Sequence, residues 1–101
     1  MKAPETIANM TDLRVEIDNL DQQIVGLLAK RVKLIDRAAE LKPGEGLPAR
    51  IESRVEAVVE NVRACSEAAG FDVDLAEQMW RMMIDWSIAR EEVVLGKGEG
   101  A

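Results

Sequence analysis

Arg31 and Lys42 lie eleven positions apart in a stretch that contains neither proline nor glycine. On a helix eleven positions make about three turns, so both side chains leave nearly the same face, with roots roughly 16 Å apart. Their cationic heads can converge on one small dianion held between them. The pair suits electrostatic chemistry: a guanidinium grips a carboxylate with two prongs, and an ammonium steadies a point where negative charge grows. Arg14 sits 17 positions before Arg31, so its root is about 25 Å away along a rigid rod, too far to share a small ligand. If Arg14 serves a site of this kind, it must come from another protomer. The alternative is that all three are ordinary helix-surface cations, with Asp18 and Glu40 nearby as ion-pair partners.

The remaining composition narrows the chemistry. The chain has no histidine, which excludes a Ser-His-Asp or Cys-His nucleophile system and a histidine-ligated zinc. Its single cysteine, Cys65, has no internal disulfide partner and reads as a small core or surface residue rather than a nucleophile. A formal charge of −6 repels nucleic acid and anionic membranes over most of the surface, so any anion must be caught by a local basic pocket. The N-terminus lacks the apolar run of a secretion signal, and no stretch reaches the roughly 20 apolar residues of a membrane span. The cytoplasm is the expected location.

The elements that must position these cations are helical. Leu13, Ile17, Leu20, Ile24, Leu27, Leu28, Leu34, Ile35, Ala38 and Leu41 recur at three, four and seven, placing one apolar stripe on a long first helix. Thr11 or Asn9 can cap its start, and Pro43 and Gly44 stop it. A rod of about 45 Å is too long to bury its stripe on one short helix, so it needs a partner chain or both other helices. Residues 43–48 are the one clear loop. Ile51, Val55, Val58, Val59 and Val62 form the face of a second helix that Gly70 ends. Asp74 and Glu77 read as a capping pair opening a third, along which Leu75, Met79, Met82, Trp86, Ala89 and Val93 repeat. The cluster of Met79, Trp80, Met82, Met83 and Trp86 reads as core. With 101 residues, 48% apolar and 32% charged, the chain has the size of one folded domain, expected over 11–95, with an N-terminal extension over 1–10 and a flexible tail over 96–101. On periodicity alone, a non-catalytic helical bundle or coiled-coil interaction module is favoured over an enzyme.

The run Leu13-Arg14-x-x-Ile17-Asp18-x-Leu20-Asp21-x-x-Ile24-Val25-x-Leu27-Leu28-Ala29-x-Arg31 resembles the first helix of the all-helical chorismate mutases. The likeness continues through Ala39-Glu40-Leu41-Lys42, Pro48, Arg54 and Ile84-Asp85-Trp86-Ser87, nearly the whole chain. It implies an all-α fold of three helices per chain in an intertwined homodimer, each pocket borrowing an arginine, here Arg14, from the other chain. It further implies that Arg14, Arg31, Lys42 and Arg54 hold the two carboxylates and the ether oxygen of chorismate, with Ser87 and Glu91 at third-helix site positions. Conversion of chorismate to prephenate is pericyclic, so no nucleophile, metal, cofactor or general base is expected. Lys42 is the candidate for the ether oxygen, and Arg14, Arg31 and Arg54 for the carboxylates.

Two positions depart from the family pattern. Glu91 replaces a common glutamine whose amide donates to the ether oxygen, and an ionised carboxylate would repel that oxygen. The expectation is a Glu91 kept protonated by burial, with activity falling as pH climbs. The alternative is a solvated Glu91 beside Glu92. In the second helix, Ile51 and Val55 stand where typical mutases carry carboxylates facing the substrate's ring hydroxyl. An unpaired hydroxyl there would weaken recognition of chorismate by about 1–3 kcal/mol. That departure aligns the chain with the related isochorismate-pyruvate lyases, which make salicylate and pyruvate, or with a dual enzyme.

Overall fold

The computed structural model describes residues 2–96. Three helices account for most of them: α1 over Met10–Leu41, α2 over Glu52–Ala69 and α3 over Val73–Leu95, with single 3-10 turns at Pro4–Thr6 and Pro43–Glu45. No strand occurs among the described residues. Of the expected tail over 96–101, Gly96 caps α3, its N–H donating to the Glu92 carbonyl, and residues 97–101 lie outside the described residues. No helix is long and apolar enough to cross a membrane.

Each boundary has a local cause. Asn9 rather than Thr11 caps α1: its side-chain oxygen accepts from the Asp12 N–H at 2.9 Å, and Asp12 in turn accepts from the Asn9 amide. Gly70 ends α2 in the left-handed conformation at φ 75°, and the Phe71 N–H reaches back to the Ser66 carbonyl at 2.8 Å, as anticipated. The expected opening of α3 at Asp74 is displaced by two residues. Asp72 is the cap, accepting from the Leu75 N–H at 2.8 Å, while Asp74 and Glu77 both pair with Arg63 instead. Two acidic residues near a helix start are equivalent candidates until a cation from another helix claims one.

The described residues fall into two compact units, one up to Leu34 and one from Ile35 onward. The first holds most of α1, and its stripe is open: Ile24 is 51% exposed and Leu34 72%. The second has a core of Ala49, Val55, Val59, Ile84 and Ile88, with Val58, Trp80 and Leu95 against it. Here α2 and α3 pack on each other. Ala76 is fully buried. The expected Met and Trp core is only partly realised. Trp80 packs inward, but Met79, Met82 and Trp86 lie exposed on the outer face of α3. Their step of three and four defines a face without saying what covers it.

Candidate active site

Lys42 is the residue just past α1, still helical at φ −57° and ψ −42°, with its N–H bonded to the Ala38 carbonyl at 2.9 Å. Proline at 43 forbids a further helical turn, and the chain doubles back. The Glu45 and Leu47 N–H groups both donate to the Lys42 carbonyl, at 3.1 and 2.9 Å, and Gly46 takes the left-handed φ of 69° that the reversal needs. The reversal delivers the buried Ala49 to the lysine, whose Nζ donates to the Ala49 carbonyl at 2.7 Å.

The same ammonium lies 2.7 Å from Glu91 Oε1, and both side chains are withdrawn from water, 17% and 5% exposed. Glu91 is thus no solvated helix-surface residue, and the partner of Lys42 is not Glu40, which pairs with Arg37. The contact is close without being a well-directed hydrogen bond. Glu91 Oε1 is the one buried side-chain oxygen among the described residues that accepts none. A buried carboxyl oxygen without a hydrogen-bond donor is uncommon and singles out Glu91 as a candidate site residue. Ser87 is buried four positions earlier on α3, and so on the same face as Glu91.

The structure therefore brings Lys42 and Glu91 into contact, with Ser87 beside them along α3. Arg54 lies exposed in the first turn of α2, and among the described residues no ion pair or hydrogen bond joins its side chain to Lys42 or Glu91. Arg14 is exposed and Arg31 half-buried on α1 ahead of Leu34. Val55 is a core residue packed with Val59 and Ile88, which explains an apolar side chain there without reference to any ligand. Cys65 is exposed.

Two ion pairs flank the centre that sequence reasoning did not identify. Asp36 accepts from Arg90 in two-pronged fashion at 2.6 and 3.0 Å, and Arg90 lies 5.6 Å from the centre of the Trp86 ring. The guanidinium hydrogen bonds hold the Asp36 carboxyl below its ordinary range. Arg50, one residue past Ala49, donates to Asp85 at 2.9 Å. Partners 54 and 35 positions apart leave no local spacing to read, and a backbone carbonyl such as that of Ala49 has no side-chain signature at all.

Residues 13–92 match the family model for chorismate mutase type II, and the chain belongs to that family. It is 37% identical over 82 residues to the T-protein of Haemophilus influenzae, covering 81% of this chain and 22% of that one. It is 32% identical over 92 residues to the isochorismate pyruvate lyase of Pseudomonas aeruginosa, covering 90% of this chain and 89% of the lyase. The chorismate mutase of Methanocaldococcus jannaschii is 24% identical over 89 residues, 90% of its length. The chain thus spans less than a quarter of the T-protein it matches, but nearly all of the lyase and of the archaeal mutase.

Proposed function

We propose that the chain is a chorismate mutase, converting chorismate to prephenate in the cytoplasm without metal or cofactor. The supporting observation is the Lys42 ammonium, withdrawn from water between the Ala49 carbonyl and Glu91. An ammonium has three N–H donors. One is directed at the Ala49 carbonyl, and the Glu91 carboxyl 2.7 Å away holds the ammonium in place, leaving donor capacity for a ligand. In the rearrangement the ether C–O bond breaks as a new C–C bond forms within one molecule, and negative charge grows on the ether oxygen. A pre-aimed donor in a water-poor setting stabilises that charge without reorganising at the moment of reaction. The protein's other task is to hold the reactant compact, which fixed cations on its two carboxylates accomplish.

In this reading Arg31 and Arg54 bind carboxylates, Ser87 lines the pocket, and Arg14 enters from the second chain of a homodimer, with residues 11–95 of each chain acting as one domain. The open apolar stripe of α1 supports the dimer, because Ile17, Ile24, Leu27 and Leu34 are all exposed on a single chain. Incubating the purified protein with chorismate is expected to yield prephenate. Lys42→Ala should lower turnover by more than about a hundredfold with the helical spectrum intact; retained turnover removes Lys42 from the mechanism.

A second reading, isochorismate-pyruvate lyase or a dual enzyme, is favoured by apolar Ile51 and by similarity to a lyase of almost equal length. Salicylate formed from isochorismate, with no prephenate from chorismate, would select it. Absence of both products would leave the helical dimerisation module.

A further inference from the structure

Asp36 and Arg90 lie outside the proposed substrate contacts, yet they join the same two elements as Lys42 and Glu91. Asp36 is six positions before Lys42, about 9 Å along the helix, and Arg90 immediately precedes Glu91, so the two α3 side chains leave about 100° apart. One reaches back to Asp36 and the other forward to Lys42. The end of α1 presents an anion and then a cation; α3 presents a cation and then an anion. A slip one way brings Lys42 toward Arg90 and a slip the other way brings Asp36 toward Glu91, and either slip breaks both ties, so the double tie favours one register. The Arg90 guanidinium is held on two sides, by both oxygens of Asp36 and by the Trp86 ring.

We propose that Asp36 and Arg90 are positioning residues, a two-pronged clamp that sets where the Lys42 ammonium stands against Glu91. The inference rests on the mutase or lyase reading of the Lys42 centre. Both side chains of the clamp are 45% exposed, and ion pairs that open to water contribute little to stability. A displacement of an ångström at a reacting atom, by contrast, costs up to about a hundredfold in rate. The clamp therefore acts on turnover more than on melting.

The test compares wild type with Asp36→Asn, Arg90→Gln and the exchanged pair Asp36→Arg with Arg90→Asp, each assayed with chorismate and isochorismate and melted by circular dichroism. Each single variant is expected to lose about tenfold in kcat, with KM changed less than about threefold and the melting temperature within a few degrees. The exchanged pair should regain most of the lost kcat, because the tie is restored with its polarity reversed. Single variants with wild-type kcat overturn the clamp, as does an exchanged pair no better than the singles, or a loss that appears only in KM. A variant whose kcat falls only in step with its melting temperature also overturns it, since that is a structural role. Wild type inactive on both substrates would remove the underlying functional reading instead, an outcome distinct from an active wild type with unaffected variants.

Discussion

The part of α1 before Leu34 and the unit that begins at Ile35 are both built on apolar residues at helical spacing, but they spend those residues in opposite ways. From Ile35 onward Val55 and Val59 of α2 and Ile84 and Ile88 of α3 turn toward each other and are buried. Before Leu34, Ile24, Val25 and Leu27 are each more than half exposed. One unit completes its own core; the other displays a face suited to completion by something else. Periodicity in a sequence measures how much apolar surface must leave water, not which molecule will cover it.

The sharpest way to break this contrast is to charge the open face. If the proposed dimer holds, Leu27→Lys with Leu34→Lys should abolish self-association, read by light scattering, and lower turnover by about a hundredfold, because in that dimer each pocket would lose the Arg14 of its mate. In a self-sufficient monomer two such exposed changes would alter little. Within the closed unit, Ile88→Ala opens the α2 and α3 core and should cost about 2–5 kcal/mol in denaturant unfolding, since a cavity is left behind. Gly70→Ala, at the left-handed turn joining the same helices, should cost about 1 kcal/mol by the same measurement.

The smallest effect concerns the outer ties of that pair. Arg81 holds both Glu56 and Glu77 below the ordinary carboxylate range, through hydrogen bonds at 3.1 and 2.8 Å. A carboxylate depressed in the folded state stabilises it above its unfolded value and loses that contribution as pH falls through the folded value. Arg81→Gln should therefore lower the melting temperature slightly at neutral pH, and the gap should close as pH falls below about 4. A gap that persists in acid would mean that Arg81 acts through its packed stem.

Much of this was legible in the residues. The long stripe, the loop at Pro43 and Gly44 and the stop at Gly70 all have strong one-residue causes, and each is where the pattern put it. The centre at Lys42 is half legible: the sequence singles out the lysine and Glu91, but their contact joins residues far apart in the chain and the Ala49 carbonyl reaches the ammonium only through the reversal at Gly46. The start of α3 was misplaced because Asp72, Asp74 and Glu77 are chemically interchangeable until Arg63 claims two of them. Trp86 and Met82 were misjudged because hydrophobicity alone does not separate an inner face from an outer one on a helix with apolar residues on both sides.

The two tryptophans differ in surroundings, Trp80 against the core and Trp86 half in water beneath a guanidinium. Indole emission shifts to longer wavelength with solvent contact, so the chain carries two natural fluorophores of different colour. Quenching by iodide should reach the redder one first. Any loosening of Arg90 would register in that band, giving an unlabelled optical gauge of the junction between the ends of α1 and α3.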